Sequence, residues 1–515
     1  MNFLPTRTTI QWIGLFAGPI AALITYATLP ETYVDPTGEV IAFTEAGRAT
    51  AAVGVWMAIW WLTEAIHISA TALLPIALLP LFGARTIEEA TAPYANNLIF
   101  LFMGGFMISL AMQRWNLHKR IALLTLRMVG TNPHMTVAGF MLATAVLSMW
   151  VSNTATTIMM LPIALSVIAT TFSQVADREL PEPGRQLPDI AGKNFALCLM
   201  LGIAYAASIG GVGTIIGTPP NLILVSYIRE TMGIEISFFQ WLLIGLPIVV
   251  IFLPLAWLLL TRVLYPIRVD RTFEGEDVIA SEYAKLGPMS RGERATLVVF
   301  SCTALAWITR PLLSEIEIAG VAPLAGLTDA GIAIIAGIAL FVIPVNVKER
   351  EFVMSWDMMK NLPWGILILF GGGLSLAASV EATGVGEFLG HQVEGLRGVS
   401  VLMLVLLVAA MVVFLTELTS NTATTATLVP ILAGIAPGLG IDPLMLIVPI
   451  ALAASMAFMM PVATPPNAIV FGSGYITIPQ MVRAGFWLNL VSIMIVTAAM
   501  FSIVVPLLGI EPVVP

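Results

Sequence analysis

The hexapeptide Ser-Asn-Thr-Ala-Thr-Thr stands at residues 152–157 and again, letter for letter, at 420–425, an offset of 268 residues. At the same offset Phe102-Met103-Gly104-Gly105 meets Phe370-Gly371-Gly372-Gly373, and Pro162 meets Pro430. A spacing kept over so long a stretch is the mark of duplication, so the chain must fold as two related halves. A second matched element follows each hexapeptide: Gly217-Thr218-Pro219-Pro220-Asn221 and Ala463-Thr464-Pro465-Pro466-Asn467, now 246 residues apart.

The solvent of these halves is set by composition. Hydrophobic residues make up 58% of the 515 and charged residues only 10%, against roughly 25% charged in a soluble domain. Apolar stretches of about 17–25 residues, enough to cross the hydrocarbon core as helices, recur along the chain. Hydropathy places spans near 11–30, 50–66, 68–82, 97–113, 194–228, 237–264, 294–313, 328–346, 363–379, 443–476 and 483–508. The apolar run after Arg7 is longer than the core of a cleavable signal, so a retained first helix is expected. One membrane domain results, not a string of soluble ones. No Asn-x-Ser/Thr acceptor occurs, which fits a bacterial inner membrane. Cys198 and Cys302 read as small buried hydrophobes, and the four histidines form no ligand pair. Trp60-Trp61 reads as part of an interfacial aromatic belt.

Two further apolar stretches, 135–172 and 399–437, are too long for one crossing, and each is interrupted midway by the hexapeptide. If each returns to its own side as a re-entrant hairpin and the N-terminus is cytoplasmic, all 23 lysines and arginines except Arg48, Arg85, Arg229, Arg310 and Arg397 fall on the cytoplasmic side. That bias is the positive-inside pattern. The expected fold is therefore an all-α polytopic membrane protein with two inverted repeats, about 11 transmembrane helices and two re-entrant hairpins. Residues 1–96 form N-terminal scaffold helices, and 97–265 the first repeat with hairpin 135–172 and broken helix 194–228. Residues 266–293 form a polar cytoplasmic connector and 294–362 further scaffold. The second repeat is 363–515, with hairpin 399–437 and broken helix 443–476. Gln113–Arg127 is basic and amphipathic, which suits either an interfacial helix or a loop.

Ser-Asn-Thr is a poor mid-helix string, because its side chains compete for backbone groups, but it caps and turns well. At a hairpin tip it ends one half-helix and begins the next. The free N–H groups and positive dipole end of that second limb then face the protein centre. Two hairpins give two such ends, one for each carboxylate of a dianion. The paired prolines remove N–H donors and free upstream carbonyls. Such backbone is tolerated at membrane depth only where it lines a cavity or is buried in protein. Ser, Thr and Asn oxygens with these carbonyls are hard neutral ligands, suited to a monovalent cation, whereas thiol or imidazole would suit a transition metal. No lysine or arginine occurs between Arg127 and Arg178 or between Arg397 and Arg483. A dianion bound there lacks a cationic side chain, and co-bound sodium ions supply the missing charge, which couples the two binding events. Broken segments in corresponding positions of two halves mark the midplane site of a secondary transporter. An intramembrane enzyme is disfavoured, since the polar clusters are duplicated where catalysis needs one asymmetric site. Two acids, Glu64 and Glu417, read as buried; for Glu417 a sodium ligand, a proton carrier and a structural hydrogen-bond partner all remain open.

From Trp61-Leu62-Thr63-Glu64-Ala65 through both Ser-Asn-Thr motifs to Pro466-Asn467, the chain resembles the divalent anion:sodium symporter family. The resemblance implies sodium-coupled symport of a small dianion of the succinate, malate or fumarate class, with citrate, sulfate or dianion exchange as alternatives. It implies a first sodium site of Ser148, Ser152, Asn153 and backbone at Gly217, and a second of Thr416, Ser420, Asn421 and backbone at Ala463. Substrate contacts are implied for Asn153, Thr154, Asn421, Thr422, Thr464 and Pro465, with Thr218 and Pro219 as their counterparts. It further implies a homodimer in membrane lipid that works by an elevator motion.

Overall fold

The computed structural model describes residues 8–34, 39–129, 132–172, 190–267, 275–317, 321–393, 395 and 398–513. Arg7, Arg178, Arg185, Arg268, Arg271 and Arg397, all counted in the charge bias, lie outside them.

Helix α1 (Thr9–Thr28) packs on α2 (Glu45–Thr63), joined by a short ladder of β1 (Thr32–Val34) and β2 (Val40–Ala42) that pairs Thr32 with Ala42. Much of α1 turns large apolar side chains such as Ile13 and Phe16 outward, as a lipid-facing helix does. The span expected at 68–82 is two pieces, α3 (Ile68–Thr71) and α4 (Leu74–Leu81), with Pro75 in the first turn of the second. After α5 (Ile87–Thr91) come α6 (Asn97–Arg114) and α7 (Leu117–Val129). The latter resolves the choice at Gln113–Arg127 in favour of an amphipathic helix.

The first hairpin is α8 (Pro133–Ser148) and α9 (Asn153–Phe172), followed by the broken pair α10 (Ile190–Gly211) and α11 (Pro219–Met232), then α12 (Phe238–Leu258). The region expected as a polar connector contains a helix, α13 (Gly275–Lys285). Lys119 of α7 bonds Glu282 at 3.0 Å, which explains why this charged segment is ordered beside α7. Arg120 forms a buried bidentate pair with Glu293 at 2.8 and 3.2 Å, tying α7 to the start of α14 (Arg291–Ser314).

Then follow α15 (Asp329–Val342), a two-stranded ladder of β3 (Pro344–Asn346) and β4 (Glu351–Phe352), α16 (Trp364–Ala382) and α17 (Val385–Gln392). The second hairpin is α18 (Val401–Leu415) and α19 (Asn421–Ile435), and the second broken pair is α20 (Leu444–Ala454) and α21 (Pro465–Phe471). The described chain closes with α22 (Ile478–Ala499) and α23 (Val505–Leu508). Among the described residues, nine helices are long and apolar enough to cross a membrane; five further apolar helices are shorter, and both hairpin first limbs are among these.

Duplication is visible in the packing. Phe102 and Phe370, one offset apart, meet edge to face with centroids 5.5 Å apart, so equivalent positions of the two halves touch each other. The halves also interlock: α21 packs on α9 and α10, and α11 packs on α19 and α20.

Three expectations change. Trp61 is fully buried and donates to the Ile68 carbonyl at 3.1 Å, and Trp60 donates to that of Leu15. Trp61 thus packs the helix junction and does not belong to an interfacial belt, whereas Trp60 is half-buried against α1. Cys302 is exposed, whereas Cys198 is buried, because α14 turns that face outward. Glu64 is exposed too, in the left-handed conformation that ends α2.

Candidate substrate and ion site

Each hexapeptide begins the second limb of its hairpin. Ser152 accepts from the Ala155 N–H at 3.3 Å and Ser420 from the Ala423 N–H at 3.5 Å. The last threonine of each motif, Thr157 or Thr425, bonds back to the carbonyl of its asparagine at 2.8 and 2.9 Å. Capping at the start and back-bonding one turn later explain why this polar string starts a helix. Helices α9 and α19 therefore present their free N–H ends at the motif.

The end of each first limb supplies a hydroxyl. Ser148 is buried with Oγ against both Asn153 Oδ1 and the Ala207 carbonyl, the latter at 2.7 Å. In the other half, Thr416 Oγ1 lies 2.6 Å from Asn421 Oδ1 and 3.1 Å from the Ala454 carbonyl. A hydroxyl has one proton and each faces two acceptors. Each cluster thus gathers three neutral oxygens with lone pairs in surplus, the donor set that a hard monovalent cation takes. Gly211 stands against the first cluster: a Cβ there would lie 2.8 Å from Asn153 Oδ1.

The breaks are equally matched. Thr218 and Thr464 are the extended residues that precede α11 and α21, with φ/ψ of −145°/144° and −141°/149°. Thr464 accepts from the Asn467 N–H at 3.2 Å, whereas the Thr218 hydroxyl makes no such cap. Asn221 Nδ2 donates to the carbonyls of Gly211 at 3.1 Å and Thr214 at 2.8 Å; Asn467 Nδ2 donates to Ala457 at 3.2 Å and Met460 at 3.0 Å. Sequence spacing is identical in the two halves. Both side chains are fully buried, and each leaves Oδ1 without a partner.

One element is not duplicated. Glu417 accepts from the N–H groups of Phe458, Met459 and Met460 at 2.7–2.9 Å and from Asn489 Nδ2 at 2.8 Å. It therefore acts as a fixed clamp on the unwound 455–464 segment. Four donors on its two oxygens make Glu417 a structural hydrogen-bond partner of this segment. At the equivalent position of the first half stands Met149, whose carbonyl accepts from Thr214 Oγ1.

The structure therefore brings Ser148 to Asn153 and Thr416 to Asn421, and sets Ser152 and Ser420 as caps. Gly217 lies beside the Gly211 carbonyl, 2.3 Å from where a Cβ would stand. Ala463 is buried within the second break, its N–H bonded to the Met460 carbonyl. Asn153, Thr154, Asn421, Thr422 and Pro219 are half-buried, and Ser152 and Pro465 exposed, so the motif tips are open to a ligand. The carbonyls of Ala207 and Ala454 were not legible in sequence, because every residue has one. The two asparagines were legible as letters of the matched elements, but not as the ties that hold them.

A family model described as the sodium:sulfate symporter transmembrane region matches residues 22–509. The chain is 41% identical to the sodium-dependent dicarboxylate transporter SdcS of Staphylococcus saprophyticus, over 97% of this chain and 93% of that protein. It is 41% identical to the SdcS protein of Staphylococcus aureus, over 98% and 93%. In fold it resembles the YdaH transporter of Alcanivorax borkumensis, with TM-score 0.56, 15% identity and coverage of 96% and 97%. MtrF of Neisseria gonorrhoeae gives TM-score 0.57 and 13% identity, with coverage of 100% and 98%.

Proposed function

The chain belongs to the sodium:sulfate symporter transmembrane region family, and from that premise we propose how its residues carry a dicarboxylate across the membrane together with sodium ions. The observation that carries the reading is the matched pair of three-oxygen clusters at the two hairpin tips. One sodium ion sits with Ser148, Ser152, Asn153 and the backbone at Gly217. The other sits with Thr416, Ser420, Asn421 and the backbone at Ala463. The carbonyls of Ala207 and Ala454 complete the donor sets.

The substrate is a C4-dicarboxylate, one carboxylate at each helix start. Asn153 and Thr154 serve one end and Asn421 and Thr422 the other, with Thr464 and Pro465, and their counterparts Thr218 and Pro219, lining the breaks. Helix N-termini favour the anion, but two partial charges fall short of neutralising a dianion, and the sodium ions supply the rest. Coupling is then electrostatic, and transport is symport by a carrier that performs no covalent chemistry.

The charge bias supports a cytoplasmic N-terminus in a bacterial inner membrane, with hairpin 1 entering from the cytoplasm and hairpin 2 from outside. We take the chain to work as a homodimer with an elevator motion of the hairpin-bearing part.

Radiolabelled succinate uptake into proteoliposomes tests this. Uptake should be strongly stimulated by an inward sodium gradient and inhibited by excess malate or fumarate more than by sulfate or citrate. Equal uptake in sodium and potassium would sink the symport reading.

A further inference from the structure

A crevice of about 390 Å³ opens between α11, α16, α17 and α19, on the face that the topology proposed above puts outside. It lies against the C-terminal half of α19, from Pro430 onward, well away from the motif at the helix start. Its lining carries two carboxylates, Glu381 and Glu387, together with His391 and Tyr227, and no lysine or arginine among the described residues. Neither glutamate takes part in an ion pair among the described residues. Two carboxylates on the lining disfavour an anion and favour a cation there.

A second cavity, about 10 Å³, shares Tyr227 and Pro430 with the first and is lined by Ser226. The Ser226 hydroxyl is fully buried and has no partner. A space of that size holds about one water or one hydroxyl. The crevice thus offers exposed anionic groups, an aromatic ring and an apolar wall, and behind the shared Tyr227 and Pro430 a small cavity holds an unserved hydrogen-bonding group.

We propose that this crevice is a second ligand site that takes a small organic ammonium with an apolar body. The ammonium is held by Glu381 and Glu387 and the body lies along Tyr227 and Pro430, where cation–π attraction adds to burial. A polar end reaches Ser226. Occupation also has a mechanical effect. At the crevice wall α17 touches α19 and the 3-10 turn after it backbone to backbone: a Cβ on Gly434 of α19 would lie 2.7 Å from Gly386 Cα, and one on Gly438 of the turn Ala436–Leu439 1.9 Å from the Gly390 carbonyl. A ligand that bridges α11 and α19 to α16 and α17 holds the second hairpin in place and slows transport without competing for its substrate.

Tyramine is a fitting probe, with an ammonium at one end and a hydroxyl at the other. Binding is read first by thermal shift of the purified protein in detergent, which does not depend on transport or on its substrate. Tyramine should raise the melting temperature, and tyrosol, which has a hydroxyl in place of the ammonium, should not. In proteoliposomes tyramine should lower the maximal rate of uptake while leaving KM unchanged. The Glu381→Gln, Glu387→Gln double variant should bind it at least tenfold more weakly and keep its uptake without amine; both side chains are exposed, so folding is spared. Ser226→Ala should weaken tyramine and leave phenethylamine unchanged. Ethanolamine headgroups share the ammonium. Weaker inhibition in phosphatidylethanolamine vesicles than in phosphatidylglycerol vesicles would identify the lipid as resident, and equal inhibition a soluble amine; either supports an ammonium site. Tyrosol binding as tightly as tyramine, purely competitive inhibition, or unchanged affinity in the double variant would overturn it.

Discussion

Asn221 and Asn467 hold open two stretches of backbone that would otherwise have no reason to stay unwound. Each ties two buried carbonyls with one amide group; the Thr214 and Met460 carbonyls also accept a backbone N–H, so removal takes two hydrogen bonds from a buried break at a cost of about 1–3 kcal/mol. Asn221→Ala and Asn467→Ala should each lower thermal stability by that order and raise the sodium concentration needed for half-maximal succinate uptake, with a smaller change in succinate KM at saturating sodium. Asn153→Ala and Asn421→Ala act more directly, since each removes an oxygen proposed to serve both ion and substrate; both should abolish or strongly reduce uptake in the proteoliposome assay. Glu417→Gln retains two acceptor lone pairs but turns an NH2 toward backbone N–H groups that need an acceptor. Loss of about 1–3 kcal/mol in melting experiments is expected, together with weaker sodium dependence.

The helices divide into those that position the site and those that brace them. The Arg120–Glu293 pair braces α7 against α14, with both side chains nearly buried. Removing one partner strands a buried charge, so Arg120→Ala should cost about 3–5 kcal/mol, whereas Arg120→Met with Glu293→Leu should cost far less. Melting of the three proteins in detergent separates these outcomes. At the edge of the same region, Lys285 and Lys119 hold the Glu282 carboxyl below its ordinary range. Its contribution is therefore present at neutral pH and disappears as pH falls through the lowered value; the docking of α13, followed by amide exchange, should loosen only in acid.

Elements of this kind also show what sequence can convey. Both hairpin breaks were legible because polar strings inside apolar stretches have few other uses, and the broken helices because consecutive prolines cannot continue one. The helix α13 was not, since its charges look like those of any solvated loop until Lys119 is placed beside them. Trp61 was misread because an indole suits an interface and a helix junction equally, and only the position of the Ile68 carbonyl decides. In the site, side-chain oxygens carried a signal, and main-chain oxygens did so only where paired prolines marked the break, not at Ala207 or Ala454.

For the molecule as a whole, the two proposed ion sites and the proposed substrate site would form one electrostatic unit. Linkage requires that sodium raise succinate affinity by the same factor as succinate raises sodium affinity. Calorimetric titration of succinate at several sodium concentrations, and of sodium at several succinate concentrations, should return equal factors; unequal ones would mean that the ions act elsewhere. The two halves that build this unit have drifted far apart in sequence outside the motifs, each fitting its own neighbours. The contact between Phe102 and Phe370 is different in kind. There each half is the surroundings of the other, so a change on one side redefines what the opposite side must fit. Positions of that sort lose the freedom to diverge separately, and truncating both rings should cost measurably less or more than the sum of the single losses.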